Sequence, residues 1–233
     1  MIISTIGRLF LTGFREIGGG RFDPFFRQKY FENIFSAINN SKYKTQSLSK
    51  IILNYKKGIE VGSNEYLSQG IPFVRVADIN DFSIDTENAN KKISEQRFEE
   101  LKNDYQPKIG EILYSKDGTI GFSVVVEQKS DYIISGGIMR ITCSANIDNY
   151  FLKYLLSTKL YKQLADRVSI GTVIKHLTID EWLKILVPLP PSEKQRAIAF
   201  HISTIKQKAQ LLQKEAIQTL QQAKEKIEQM ILE

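Results

Sequence analysis

The spacing of apolar and polar positions changes several times along this chain, and each change predicts a different element. Residues 1–20 form an apolar lead-in that closes on Gly18-Gly19-Gly20, a triplet free enough in its dihedrals to act as a joint. Asp23-Pro24 then offers an N-cap with Pro at the first helical position, and Phe25, Phe26, Tyr30, Phe31 and Phe35 continue at helical spacing. Between 48 and 145 the texture turns to short β-rich runs: Ile71-Pro-Phe-Val-Arg-Val, Ile112-Leu-Tyr, Phe122-Ser-Val-Val-Val, Ile133-Ile and Ile138-Met-Arg-Ile-Thr. Gly70, Asp117-Gly118, Gly121 and Gly136-Gly137 punctuate them as turns. One helix interrupts, from Ser94 to Lys102, opening on a weak N-cap pattern.

A single helix is predicted from about Asp148 to Val168, with Phe151, Leu152, Leu155, Leu156, Leu160 and Leu164 on one face. A Gly171 loop and a short helix near Thr178–Leu183 follow. Val187-Pro-Leu-Pro-Pro-Ser must then be extended, because each Pro drives its predecessor out of the α region. From Glu193 to the end there is neither Gly nor Pro. Ile198, Ile202, Ile205, Ala209, Leu212, Ala216, Leu220, Ala223, Ile227 and Met230 recur there at alternating steps of three and four. That is a heptad seam with one four-residue stutter. At ~1.5 Å per residue the helix is ~60 Å long and must project beyond a domain of this size. A narrow apolar seam in water asks for a partner helix; the alternative is a helix folded back on its own domain.

Composition narrows the function classes only a little. The 233 residues, 42% of them hydrophobic, suffice for one substantial core and an appendage. A net charge of +6 suits a phosphate-facing surface without requiring one. Cys143, the only cysteine, excludes an intrachain disulfide and a cysteine zinc site, and its strand-like neighbours predict a small buried residue. The N-terminus lacks the charged start and cleavage site of a signal peptide, and no run approaches the ~20 apolar residues of a membrane span. A soluble, cytoplasmic protein is expected.

Catalytic patterns are sparse. His176 and His201 belong to no ligand spacing, and there is no nucleophile elbow and no phosphate-binding glycine loop. Glu100-Leu-Lys102 has the shape of a nuclease triplet but lies on a charged helix, where an ion-paired surface is the better reading. Leu189-Pro-Pro-Ser192 lacks the polar and aromatic residues that flank the prolines of adenine methyltransferases. The chain reads as non-catalytic, with no metal.

Several blocks, in order, resemble the specificity subunits of type I restriction–modification enzymes. They are Arg21-Phe-Asp-Pro-Phe-Phe, Gly70 to Ile79, Gly110 to Gly121, Gly171-Thr-Val-Ile-Lys-His-Leu177, and Val187-Pro-Leu-Pro-Pro-Ser-Glu-Lys-Gln195 with its helix. In the family the last block reads close to I-P-L-P-P-x-x-E-Q, from which Ser192-Glu-Lys-Gln departs slightly. The resemblance implies an α+β fold: a target-recognition domain with a twisted mixed or antiparallel sheet and flanking helices, then one long coiled-coil-type helix. Its expected bounds are 1–20 for the lead-in, 21–192 for the recognition domain and 193–233 for the helix. It also implies double-stranded DNA as partner, adenine-methylating modification subunits and, in the full complex, restriction subunits. S-adenosylmethionine, ATP and Mg are expected on those partners and no cofactor on this chain. Family members carry two recognition units in tandem, and this sequence has no internal repeat. It therefore looks like a half-subunit, expected to form a homodimer through antiparallel helices and to read a symmetric interrupted site.

Individual residues carry weaker signals. Ser115-Lys-Asp-Gly-Thr-Ile-Gly is a turn whose small residues let backbone approach DNA, with Ser115 as an exposed donor, Lys116 for a phosphate and Thr119 for a phosphate or base edge. An ordinary β-turn with a solvated Lys is the alternative. Gly171, Thr172, Lys175 and His176 sit on a loop expected to lead into a helix start suited to phosphate; the alternative is a linker with a C-capping Gly. Arg75 is either a guanine reader or a structural partner of Asp78, and Tyr66 is a weaker groove-lining candidate. Two rival functions stay open: a coiled-coil adaptor whose domain binds protein, such as an antirestriction or toxin–antitoxin partner, and the recognition fragment of a fused restriction–methylation enzyme.

Overall fold

The computed structural model describes residues 29–81, 83–171 and 173–232. The lead-in, the helix start at Asp23-Pro24, the Arg21-Phe-Asp-Pro block and Thr172 lie outside the described residues. The protein is α+β. Its elements, numbered in chain order, begin with helix α1 (Lys29–Asn39), β1 (Thr45–Ser47), a one-turn α2 (Leu48–Ile51), β2 (Ile52–Lys57), β3 (Ile71–Val74) and β4 (Lys92–Ile93). Helix α3 (Glu95–Tyr105), β5 (Ile112–Ser115), β6 (Ser123–Val125), β7 (Ile133–Ile134) and β8 (Ile138–Cys143) make up the middle. Then come α4 (Asn149–Leu156), α5 (Lys159–Arg167), β9 (Ser169–Ile170), β10 (His176–Leu177), α6 (Ile179–Trp182), β11 (Leu186–Pro188) and α7 (Ser192–Leu232).

An antiparallel four-stranded sheet, ordered β2-β8-β5-β6, forms the centre. Every residue of β5 is buried, so the strand is apolar on both faces rather than alternating. A mixed sheet, β4-β3-β7, stands beside it, with β3 antiparallel to β4 and parallel to β7. The largest core gathers Tyr114 and Trp182, their rings 5.0 Å apart, with Leu48, Ile51, Met139, Ile141, Leu152 and Leu164. A smaller core joins Phe73, Ile93 and Ile133 to Phe98 and Leu101 of α3. The extended Val187-Pro-Leu-Pro-Pro run enters as β11, paired antiparallel with β1, so the two ends of the globular part are tied together.

Four expectations need correction. The helix expected over 148–168 is two helices, because Thr158 adopts an extended conformation and caps α5 by accepting from the Tyr161 N–H. Ser157 and Thr158 hydroxyls also donate to carbonyls of the preceding turn, which is how such side chains compete with a continuous helix. The strand expected over 71–76 ends at Val74: the Asp78 carboxylate accepts from the Arg75 N–H at 2.8 Å and winds Val76–Asp78 into a 3-10 turn. The loop expected to lead from Gly171 into a helix is a hairpin first: with φ +103 Gly171 turns the chain back between β9 and β10, and the expected short helix, α6, starts only after β10. Cys143 is half-buried rather than buried, at the end of β8, though burial and the nearby Asp148 push its thiol up to about 12.

Ser94 caps α3 as its sequence suggested, accepting from the Arg97 N–H at 3.1 Å. On the same helix Glu100 pairs with Arg97 at 2.8 Å and Lys102 with Glu99, an ion-paired surface. None of the described helices is long and apolar enough to cross a membrane.

Candidate nucleic-acid interface

The β5–β6 turn is built around Ser115. Its hydroxyl donates to the Thr119 carbonyl at 2.7 Å and accepts from the Phe122 N–H at 2.8 Å, with the residue fully buried. Ser115 is thus a brace inside the turn, not the exposed donor expected of it. Gly121 is required at the far end: its φ is +98, and a Cβ there would lie 2.7 Å from the Lys162 side chain. Gly118 and Thr119 form the exposed crest.

The β9–β10 hairpin meets this turn. The Gly118 N–H donates to the Lys175 carbonyl at 2.9 Å and the Leu177 N–H to the Lys116 carbonyl at 2.8 Å. Asp117 and His176 face each other across an isolated bridge, with His176 Nδ1 3.0 Å from Asp117 Oδ1. A third turn joins from below, its Gly137 carbonyl accepting from the Lys116 N–H at 2.8 Å. A Cβ placed on Gly137 would lie 3.0 Å from Val76 and 3.7 Å from Asp117, so the segment after β3 abuts the same place. Four segments far apart in sequence therefore share one corner of the domain.

Within that corner the charges are mixed. Lys116 pairs with Asp117 and its side chain is only 12% exposed, whereas Lys175, paired with Asp166 at 2.9 Å, is 44% exposed. His176 is the most open titratable group, its side chain 57% exposed. Arg75 is half-buried; the Asp78 carboxylate holds its backbone N–H, and its Nε is buried without a hydrogen-bond partner. Sequence reasoning passed over the apolar crest of the hairpin: Val173 is 94% exposed, and Ile170 and Ile174 are more than half exposed. Apolar side chains beside a Gly in a Lys- and His-bearing block were the signal, since such groups can contact a thymine methyl. Tyr66 stands apart, its ring 5.7 Å from Phe73 and covered by the Lys91 ammonium.

Helix α7 leaves the domain after about four turns of contact. Gln195 pins its base, donating to the Pro190 carbonyl at 2.9 Å and accepting from the Asp148 N–H at 3.0 Å. Ala199, Ile198 and Ile202 pack on Phe151, Tyr154 and Leu155. From Gln207 to Leu232 every residue is exposed. The ten seam positions thus divide: Ile198 and Ile202 face their own domain, while Ile205, Ala209, Leu212, Ala216, Leu220, Ala223, Ile227 and Met230 are exposed in the single chain. His201 is an exposed helix residue. Among the described residues, no three His, Cys, Asp or Glu are grouped so as to hold a metal ion.

Residues 40–222 match the model of the family described as Type I restriction modification DNA specificity domain. The chain belongs to that family. It is 34% identical over 89 residues to the type I restriction enzyme MjaVIII specificity subunit of Methanocaldococcus jannaschii, covering 38% of this chain and 21% of that one. Its fold matches the crystal structure of a type I restriction–modification S subunit from M. genitalium, with TM-score 0.52 and 14% identity over 72% of this chain and 40% of the other. A chain from a structural study of complex assembly and conformational transition in the type I system matches with TM-score 0.55 and 20% identity, covering 76% and 41%. The chain thus spans well under half the length of these relatives. The specificity-domain match runs through the turn, the hairpin and α7 as far as residue 222.

Proposed function

We propose that this chain is the DNA sequence-specificity subunit of a type I restriction–modification system, without catalysis of its own. The observation that carries the reading is the family match over 40–222, which takes in both the four-segment corner and the helix. In this reading residues 21–192 are the recognition domain, 193–233 the spacer and dimerisation helix, and 1–20 a lead-in. The corner is the DNA face. Lys175 and His176 meet phosphates, Lys116 supports them from behind Asp117, and Thr119 reaches a phosphate or base edge. Gly118 and Gly171 keep the backbone close enough to approach the duplex. Thr172, next in sequence to Gly171, and Arg75 are further candidates for the same face, whereas Tyr66 serves packing.

Two copies pair antiparallel through the exposed seam and present two recognition domains to the halves of a symmetric interrupted target. Modification subunits dock on this dimer and methylate adenine, and restriction subunits join them in the full complex. S-adenosylmethionine, ATP and Mg reside on those partners, and the assembly works in the cytoplasm.

Binding to duplex DNA, measured by gel shift with and without modification subunits, tests the reading. A shift that weakens with salt is expected, and Lys175→Ala lowers affinity for all sequences and reduces the log–log salt slope by about 0.9. No shift in either condition overturns the proposal in favour of a protein-binding adaptor. A shift untouched by Lys175→Ala at low salt moves the DNA face elsewhere.

A further inference from the structure

Three lysines from three helices converge on one loop residue where α7 leaves the domain. Lys153 of α4 and Lys206 of α7 donate to the same Asp81 carbonyl, at 2.9 and 3.1 Å. Lys162 of α5 pairs with Asp81 Oδ2 at 2.8 Å. The Lys153 and Lys206 ammonium groups also lie over one ring, Tyr154, at 4.3 and 4.9 Å from its centroid. Lys206 is the last half-buried position of α7. The domain's grip on the helix therefore runs from Gln195 at the base to Lys206 at the top, with apolar contacts between.

We infer that the Asp81 loop is a clamp that fixes the angle at which α7 leaves the recognition domain, with Lys206 as the positioning residue that engages it. The need for a clamp follows from leverage. Beyond Lys206 the helix runs on for about 40 Å. A swing of about 10° at the junction carries its tip roughly 7 Å, or about two base-pair rises along a duplex. Ala199 and its apolar neighbours resist separation, but apolar contact is non-directional and tolerates rolling. Hydrogen bonds have preferred distances and angles, and one at the far end of the contact has the longest lever against tilting. Burying lysines costs stability, and Lys153 is 5% exposed; conformational definition is what that cost obtains.

The clamp's consequence for spacing rests on the proposed role of α7 as the spacer between two recognition domains, but its mechanical effect does not. Spin labels on Asn103 of α3 and Gln222 of α7, with Cys143→Ala and dilution by unlabelled protein, report the distance between domain and rod in the full chain. The expected result is one narrow distribution that widens at least twofold in Lys206→Met, is restored by Lys206→Arg, and leaves thermal stability within a few degrees. An unchanged width in Lys206→Met with the helix intact overturns the clamp, and so does equal widening in Lys206→Arg. The preferred spacer of the DNA target is then compared between parent and Lys206→Met. Wider distances with an unchanged spacer preference keep the clamp and reject the role of α7 in setting the spacing.

Discussion

Replacing Leu212 and Leu220 by Asp tests the seam where it is open to solvent. Their side chains are 54% and 65% exposed, so pairing removes more than half of each from water. Complete burial of a Leu is worth roughly 1.5–3 kcal/mol, which leaves about 1–2 kcal/mol per position. A symmetric dimer loses four such burials, so the dissociation constant rises by roughly three to six decades at 1.4 kcal/mol per decade. Sedimentation equilibrium reads this directly. Circular dichroism controls for the helix itself, since two Asp substitutions cost only a few tenths of a kcal/mol each in propensity, roughly 0.5 apiece. A dimer constant within tenfold of the parent's refutes the assignment of this stripe as the contact. Orientation is tested separately with Ala209→Cys in a Cys143→Ala background. Antiparallel helices keep two copies of residue 209 apart, so no disulfide forms between them, whereas a parallel pair cross-links readily.

Gly171→Ala is expected to disturb the hairpin without unfolding the domain. The residue has φ +103 and a Cβ there would lie 2.1 Å from the Ile174 carbonyl oxygen, a cost on the order of 1–3 kcal/mol; DNA affinity falling less than threefold in a gel shift would contradict a role for the crest. Lys153 gives a pH signature: burial first, then the adjacent Lys206, pull it down to about 8. Free lysines titrate near ~10.4, so the unfolded chain holds this proton more tightly and stability from this residue rises as pH climbs from about 8 to 10. Lys153→Met removes that rise, and a parent-minus-variant stability difference that stays flat over the window would contradict it. The Cys143 thiol, held up at about 12, reacts with a thiol reagent at pH 8 roughly a thousandfold slower than in denaturant; equal rates would show it to be open.

The long helix was legible because steps of three and four run through ten apolar positions with a single stutter, and the β-rich blocks because buried strands read as apolar runs. Sheet order was not, since pairings such as β2 with β8 depend on contacts remote in sequence. The break at Thr158 was hidden for a local reason: the apolar period runs straight through, and only the capping geometry interrupts it. At the corner, sequence blocks marked the turn and the hairpin separately. What joins them is backbone hydrogen bonding between Gly118 and Lys175 and between Lys116 and Leu177, which side-chain chemistry does not announce. Ser115 shows the opposite failure: a hydroxyl in a turn looks available, yet it satisfies the turn's own backbone. Ile198 and Ile202 continue the seam's spacing, and only the packing of α4 shows that they are already covered.

If this chain chooses the DNA sequence its partners modify, as proposed, adenine methylation depends on its presence. Mapping adenine methylation across the genome in cells with and without the chain measures that choice. One set of sites, symmetric about an unread spacer, is expected to lose methylation when the chain is removed and to regain it when the chain is restored. A methylation pattern that does not change with the chain would contradict it, and an asymmetric site dependent on this chain alone would contradict the antiparallel dimer.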